Sequence, residues 1–211
     1  DFMAISAGPY FKFNYSVSFF VNFDPTLEKD AKKKLDDLWD SLAKDGHILM
    51  ELGPYPFSEH YGWVQDKYGV SWQLILAKPD GDMRPNIIPS LMFAGSNCGK
   101  AEDAINFYTS VFKNTQRGIT ARYGKNQAPD AENNIMFADF MIENMWFAIM
   151  ESARVPVLFN EAISFVVRSE DQEEIDYYWE ALSYVPEAEN CGWLKDKYGV
   201  SWQIVPTDMN E

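Results

Sequence analysis

The chain has 211 residues, which is enough for one large or two small domains with a substantial core. Its hydrophobic content of 46% and aromatic content of 16% exclude a disordered protein, and no apolar run approaches the roughly 18 residues that cross a bilayer. The net charge of -14, without a basic patch, argues against binding to nucleic acid or to anionic membranes.

The first 80 residues begin with strand patterns and continue into a helix. The chain opens in an apolar segment, 1–5, that reads as the middle of a strand, and no Met starts it, so we expect it to begin inside a module. Ser18-Phe19 marks the next strand, and a helix is predicted over 27–42 because Leu and Trp recur there at helical spacing. A long loop over 51–60 then leads to the octapeptide DKYGVSWQ at 66–73.

A break over 77–85, with two prolines, a glycine and several charges, separates this pattern from the next one. A strand is predicted over 87–94. A helix is predicted over 100–112, because apolar residues recur there at i, i+3, i+4 and i+7. Three strands complete this stretch: 115–123, 135–142 and 145–151.

The last part of the chain repeats the same order. A strand over 162–167 precedes a helix that runs to about Leu182, and Ser169 is expected to cap this helix in a capping box with Gln172. A weakly marked strand is placed at 185–188. Two final strands, 192–194 and 200–205, are joined by a tight hairpin turn.

The octapeptide DKYGVSWQ recurs at 196–203, 130 positions after its first copy (196 minus 66). A repeat of this size indicates duplicated domains rather than a solenoid. The chain therefore holds three βαβββ half-modules in an α+β fold. We expect a partial module over 1–80 that contains only the second type of half, a linker over 81–86, and a complete module over 87–208.

Paired βαβββ units that end in GWxxDKYGVSWQ resemble the PhnB-like branch of the glyoxalase/bleomycin-resistance/dioxygenase superfamily, also called the vicinal-oxygen-chelate superfamily. The segments KAEDAINFY at 100–108 and QEEIDYYW at 172–179 are similar to the helix signatures of that branch. The resemblance covers nearly the whole chain. It implies cupped mixed sheets with helices on their outer faces.

In metal-dependent members of this superfamily, His, Glu or Gln side chains on facing strands hold a divalent ion that acts as a Lewis acid. The resemblance places their last-strand Glu at Gln203, and at Gln73 in the first copy. Their His positions fall on residues without imidazole, namely Pro89, Ala162 and Ser16. Glu151 is the candidate fourth-strand carboxylate, with a counterpart near Ala7. Two oxygen ligands without imidazole make a poor transition-metal site, so we predict neither a metal nor another cofactor.

The predicted ligand site is the inside of the cup. Strand alternation places Ser201 on the same side as Gln203, whereas the sequence does not decide which side of the sheet Trp193 faces. No catalytic residue is assigned, and the candidate substrate-binding residues are Gln203, Ser201, Glu151, Trp193, Phe93 and Gln73. His60, in the long loop, is a further candidate for reaching the cup. His47 is interpreted as structural, at a helix end.

Members of this branch are often described as 3-demethylubiquinone-9 3-methyltransferase-like, which implies S-adenosylmethionine. That cofactor is normally held by a doubly wound sheet with a glycine-rich first turn. The segment FAGSNCG at 93–99 follows a strand but lacks the GxGxxG spacing, so the sequence does not favour a methyltransferase.

The main hypothesis is therefore a PhnB-like protein that binds a small organic molecule in the sheet cup without the usual divalent-metal site. The alternatives are a metal-dependent lyase, isomerase or dioxygenase-like enzyme, and a protein with a role in assembly. An unpaired half-module exposes strand edges, which predicts a homodimer. Cys98 and Cys191 have no CxxC partner and no secretory signal is visible, so free thiols and a cytoplasmic location are expected.

Overall fold

The computed structural model describes residues 2–6 and 8–207. Asp1, Ala7 and Asp208, which enter the predicted modules, lie outside the described residues. Two compact units are present: a large unit over Asn14–Leu158, and a small unit made of the described residues before and after it. Mixed sheets and helices confirm the α+β class. None of the helices in the described residues is long and apolar enough to cross a membrane.

The large unit contains two βαβββ halves. The first half consists of β1 (Val17–Phe23), α1 (Ala31–Ala43), β2 (His47–Tyr55), β3 (Ser58–Gln65) and β4 (Ser71–Leu76). The second half consists of β5 (Ile87–Ala94), α2 (Ala101–Val111), β6 (Gln116–Arg122), β7 (Ile135–Ile142) and β8 (Met145–Ser152). All eight strands form one sheet in the order β2-β3-β4-β1-β5-β8-β7-β6.

The two halves meet where β1 pairs with β5 in antiparallel orientation, with Ser18 opposite Ser90. On each side of this seam the next strand is parallel to its neighbour, β4 beside β1 and β8 beside β5. The strand order is therefore the same when read outwards from the seam in either direction. This arrangement gives the large unit an approximate two-fold symmetry.

The first half of the sheet has different cores on its two faces. On the outer face, α1 packs Leu35 and Trp39 against Val21, Val64 and Leu74, all of them buried. Because side chains alternate along a strand, the neighbours of these sheet residues point the other way. A second buried cluster, Phe20, Tyr61, Ile88 and Ala148, lies there and joins both halves of the sheet. We call the face that carries this second cluster the inner face.

The small unit contains β9 (Ser164–Ser169), α3 (Gln172–Leu182), β10 (Trp193–Lys195) and β11 (Ser201–Pro206). Its sheet has the order β10-β11-β9, with β9 parallel to β11. The side chains of Tyr178, Leu182 and Trp202 are almost completely buried. This unit is a βαββ form of the half-module, with a 3-10 helix at Pro186–Ala188 between α3 and β10. Among the described residues, its three-stranded sheet contains no second half.

The octapeptide forms the same hydrogen bonds in both units. One carboxylate oxygen of Asp66 accepts from the backbone N–H groups of Tyr68 and Val70, and the other accepts from the indole of Trp72. Asp196 binds the equivalent three donors in the small unit, and it is completely buried. The glycine of each turn has a positive φ, 92° in the first copy and 86° in the second.

Several predicted elements have different forms in the structure. The segment 51–60, expected to be a loop, belongs to the β2–β3 hairpin. The prediction of a strand at 185–188 is wrong, because Pro186–Ala188 forms a short 3-10 helix. No strand is formed at residues 2–6. Ser169 does not cap α3; Asp171 does, by accepting from the backbone N–H of Glu174.

The pairing of the halves also differs from the expected one. The repeat pattern predicts that the second and third half-modules pair in one complete module over 87–208, after a linker at 81–86. In the structure, the strands on both sides of this segment belong to the same sheet, and β1 of the first half-module is bonded to β5 of the second. The third half-module forms the small unit. Three related halves offer similar first strands, and the sequence does not specify which two of them pair.

His60 lies on β3 and faces α1 instead of the inner face. Its Nε2 is 2.5 Å from Oδ1 of Asp36, and Lys32 Nζ is 3.0 Å from the other carboxylate oxygen. These two hydrogen bonds, the one from His60 first, hold the pKa of Asp36 below its ordinary value. His47 starts β2 and is exposed. His60 is therefore a residue that fixes α1 to the sheet.

Replacing Asp196 with alanine should reduce the stability of the small unit strongly. Three buried donors would lose their acceptor, which typically costs about 3 kcal/mol in total. Urea unfolding followed by tryptophan fluorescence would measure the loss. Asp66→Ala provides the matched control in the large unit, and we expect a smaller loss there because Asp66 is only half-buried. A loss of under about 0.5 kcal/mol at Asp196 would contradict the anchoring role.

Asp36 should make stability depend on acid pH. Its folded pKa lies below the ordinary value of 3.8, so its contribution is complete above that value and is lost as the pH falls through the folded pKa. We expect the unfolding free energy of the wild type to exceed that of Asp36→Asn at about pH 5, and the difference to shrink below about pH 4. Urea titrations at several pH values would test this. A difference that stays constant down to about pH 2.5 would rule it out.

Candidate functional site

The inner face of the large unit is lined by aromatic and apolar side chains. Around its buried cluster lie half-buried residues from both halves: Met50, Tyr55, Trp63, Ile75, Phe137, Trp146 and Met150. Phe137 meets Phe20 edge-on, with ring centroids 5.8 Å apart. Small-molecule sites are mostly lined by apolar and aromatic side chains, so this face is the candidate ligand surface.

A chain of hydrogen bonds holds Gln73, the last residue of the first octapeptide, on this face. The hydroxyl of Tyr61 donates to Gln73 Oε1 at 2.5 Å, and Gln73 Nε2 donates to Ser18 Oγ at 2.7 Å. All three side chains are buried. Burial, together with a smaller effect of Tyr55, raises the pKa of the Tyr61 phenol, which therefore stays protonated and acts as a donor. Both ends of the Gln73 amide are thus bonded within the protein.

The second half carries a methionine where the first half carries Gln73. Across the parallel strand pairs, Gln73 is the partner of Phe20 on β1, and Met150 is the partner of Met92 on β5. Methionine supplies no amide N–H to the neighbouring serine. Accordingly, the hydroxyl of Ser90, which is opposite Ser18 and completely buried, has no hydrogen-bond partner among the described residues.

Glu151 faces the helix side of the sheet. Its two oxygens accept from the backbone N–H groups of Ala101, at 2.7 Å, and Ile135, at 2.6 Å. Ala101 is the first residue of α2, which has no cap from its own Lys100. Glu151 is therefore the N-terminal anchor of α2. Phe93, its partner on β5, is completely buried. Strand alternation could have indicated this orientation, since Met150 and Glu151 must face opposite sides.

Three other predicted site residues belong to the small unit. Gln203 Nε2 donates to Ser164 Oγ at 2.7 Å, which repeats the bond between Gln73 and Ser18. Ser201 is buried, and Trp193 is opposite Gln203 in the β10–β11 pair. The position of Tyr61 is taken by Cys191, which has no phenol to donate to Gln203. The predicted set therefore divides between two units and, in the large unit, between two faces of the sheet.

Sequence reasoning missed an ion pair on the inner face. Arg84, from the segment predicted to be a linker, donates from Nε to Asp139 Oδ2 at 2.7 Å and lies over the ring of Trp146. Asp139 is buried, and Arg84 is nearly so. The only available signal was a lone charged residue on the strongly apolar strand β7.

The donor atoms do not fit a resident divalent ion. No group of three or more His, Cys, Asp or Glu side chains with metal-binding geometry is found in the described residues. Gln73 Oε1 already accepts from Tyr61, and both oxygens of Glu151 accept from backbone groups. Pro89 occupies the position on β5 where the resemblance places a His, and it lies opposite Phe19. Because side chains alternate along a strand, this position faces the opposite side of the sheet from Ser18 and Ser90.

Cys98 is not an activated nucleophile. Burial, followed by the negative charges of Glu151 and Asp130, raises the pKa of its thiol above the ordinary value. A reactive thiol requires the opposite shift, since the thiolate is the attacking species. Cys191 is exposed, and both cysteines are free.

The chain matches the family described as 3-demethylubiquinone-9 3-methyltransferase over residues 1–75 and 85–205. No curated protein matches it. A PhnB protein from Bacillus cereus is 35% identical and aligns over 56% of this chain and 96% of its own, with a TM-score of 0.47. A glyoxalase I mutant from Zea mays is 16% identical over 90% of this chain and 67% of its own, with a TM-score of 0.52.

A fosfomycin resistance protein from Listeria monocytogenes is 19% identical over 58% of this chain and 90% of its own, with a TM-score of 0.36. The family match covers most of the chain, and the similarity to the glyoxalase I structure supports the fold. The chain therefore belongs to the 3-demethylubiquinone-9 3-methyltransferase family, is similar to a PhnB protein, and has the glyoxalase/bleomycin-resistance fold.

Proposed function

We propose that the protein binds a small organic molecule on the inner face of the large unit, without the divalent-metal site of its enzymatic relatives. Two features of this face support the proposal. Half-buried aromatic side chains form its surface, and the Gln73 oxygen, at the position of the metal ligand in the relatives, already accepts a hydrogen bond within the protein. Ligand sites are mostly apolar and contain a few placed polar groups, and this face has that composition.

A metal-dependent lyase, isomerase or dioxygenase has less support. Such an enzyme needs at least two or three ligands that are free to hold the ion and to leave open positions for substrate. On this chain, Gln73 and Glu151 use their oxygens for internal hydrogen bonds. A protein that only binds a small molecule does not require side chains that coordinate a metal ion.

The family description names a methyltransferase, and we do not extend that activity to this chain. S-adenosylmethionine is usually bound at the carboxyl ends of a doubly wound parallel sheet. Here β1 pairs with β5 in antiparallel orientation, and the segment after β5, Gly95–Asn97, forms a short 3-10 helix. These features favour binding in the sheet cup over methyl transfer.

We also propose that the protein is a cytoplasmic homodimer. In the described part of the small unit, β9 is bonded to β11 on one side only. Its counterpart in the large unit, β1, is paired on both sides, with β4 and with β5. A second copy could bring its own β9 to this edge and extend the sheet. The two free thiols support a reducing compartment.

A thermal-shift screen of aromatic compounds would test ligand binding. We expect at least one compound to raise the melting temperature of the wild type, because ligands that bind only the folded state stabilise it. Phe137→Leu should reduce the affinity for that compound roughly three- to tenfold, since an aromatic contact contributes about 0.5–1.5 kcal/mol. Phe19→Leu is the matched control, because Phe19 is also half-buried but packs on Trp72, on the other face.

Treatment with EDTA and metal analysis separate the two functions. Binding should be unchanged by EDTA, and the purified protein should contain no stoichiometric divalent ion. If a stoichiometric ion is found and its removal abolishes binding, a metal-dependent enzyme replaces the metal-free binding protein as the proposed function. If no compound stabilises the wild type, or if Phe19→Leu and Phe137→Leu weaken binding equally, the inner face is not the site.

The homodimer should be detected by light scattering of the purified chain. Val166→Lys places a charge on β9 beside the unpaired edge, and we expect this variant to be monomeric because inward-pointing charges block edge pairing. A wild-type protein that is monomeric at all accessible concentrations would disprove the dimer. A variant that remains dimeric would place the interface elsewhere.

A further inference from the structure

The segment between β4 and β5 sends one side chain onto the inner face. Its residues from Lys78 to Met83 are exposed, whereas the side chain of Arg84 is only 13% exposed. Asn22 holds the end of this segment, because its side chain donates to the carbonyl of Pro85 and its backbone N–H donates to that of Asn86. Arg84 is thus fixed at the junction with β5.

The guanidinium of Arg84 has the environment of a bound cation. Its central carbon lies 3.8 Å from the ring centroid of Trp146. Nε donates to Asp139 Oδ2 at 2.7 Å and Nη1 donates to the Met83 carbonyl at 3.0 Å, while Nη2 is 3.5 Å from a carboxylate oxygen of Asp82. An aromatic ring face combined with a carboxylate is a recurrent way of recognising organic cations.

The receptor part of this contact belongs to the sheet. Asp139 is 4% exposed, and its second oxygen accepts from the backbone N–H of Ile119 at 2.6 Å. A buried carboxylate is unfavourable unless a cation or hydrogen bonds compensate it. On this face the compensating charge comes from the connecting segment. Cation and receptor are therefore supplied by different elements.

Gly118 on β6 leaves the room that the contact needs. A Cβ atom there would lie 2.0 Å from Asp139 Oδ1, 2.8 Å from the Trp146 ring and 2.9 Å from Arg84 Nη2. Any other residue would displace the carboxylate, the ring and the guanidinium together. The receptor is thus formed by three residues of neighbouring strands: Trp146, Asp139 and Gly118.

This receptor adjoins the aromatic surface described above. Trp146 packs against the buried cluster of the inner face, beside Met150 and Phe137. A molecule with a flat apolar body on that cluster could place a planar cationic end over Trp146, next to Asp139. The net charge of -14 would also attract a cation.

We propose that Trp146, Asp139 and Gly118 form a subsite for a planar organic cation of the guanidinium or amidinium class, and that Arg84 occupies it when no ligand is bound. This inference rests on the proposed function, because it assigns the cationic end of the ligand to the same inner face. A ligand binds by displacing the Arg84 side chain, whose departure opens the subsite.

Three probes test the subsite in the intact chain: benzamidine, its neutral analogue benzamide, and methylguanidine, which has no aromatic body. Calorimetry and thermal shift would be applied to the wild type, Arg84→Ala and Arg84→Ala/Asp139→Asn. We expect Arg84→Ala to bind benzamidine at least tenfold more tightly than benzamide and to be stabilised by methylguanidine. The double variant should lose the preference for the cation. The wild type should bind benzamidine more weakly than Arg84→Ala.

Arg154→Ala is the matched control. Arg154 Nε donates to the buried Asp130 Oδ2 at 2.7 Å, so it makes the same type of ion pair, but its guanidinium does not lie over an aromatic ring of the described residues. This variant should show no preference for benzamidine. If Arg84→Ala does not fold, Arg84→Lys keeps the charge without the planar stack and should still gain affinity for benzamidine over the wild type.

The outcomes distinguish this subsite from the proposed function. Equal binding of benzamidine and benzamide to Arg84→Ala, with both bound more weakly by Arg84→Ala/Phe137→Leu, would overturn the cation subsite and leave aromatic ligand binding intact. Stabilisation of Arg84→Ala by methylguanidine, with benzamidine bound no more tightly than methylguanidine, would support the cation subsite and argue against the aromatic site. A response of Arg154→Ala equal to that of Arg84→Ala would overturn the inference.

Discussion

The antiparallel pairing of β1 with β5 is the contact on which the large unit depends. Each βαβββ half covers one face of its sheet with a helix and leaves the other face open. Joining the halves at Ser18 and Ser90 places the open faces side by side, so that Phe20, Ile88 and Ala148 share one core. The pairing also satisfies the backbone groups of both first strands, which would otherwise be exposed edges. The aromatic surface of the inner face exists only because this seam is closed.

The repeated octapeptide contributes to this structure in two different ways. Its Asp, Gly and Trp form a self-contained turn that is the same in both units and depends little on its surroundings. Its final Gln is sensitive to context. In the large unit, Tyr61 and Ser18 bind both ends of Gln73, whereas in the small unit Ser164 binds one end of Gln203. One sequence element therefore supplies a rigid anchor together with a polar group whose availability depends on its neighbours.

Local periodicity predicted most of the helices and strands to within a few residues, because side-chain spacing within one element decides them. The strands Ile87–Ala94 and Ile135–Ile142 have the predicted bounds. Errors arose where a single position decided the result. Glu151 was placed in the cup, yet one step along a strand reverses the face, and its carboxylate anchors α2 instead. Arg84 looked like a linker residue because the buried Asp139 that holds it is 55 positions away.

The sequence by itself determined the duplication, the βαβββ order of the two halves in the large unit, the turn chemistry of the octapeptide and the family. All of these depend on residues close together in the chain or on direct comparison of two segments. Only the tertiary structure decided which halves share a sheet, which face each polar side chain occupies, and how Arg84 reaches Trp146. The physical reason is that strands pair through backbone groups common to all residues. Related first strands are therefore nearly equivalent partners until the packing of whole faces selects among them.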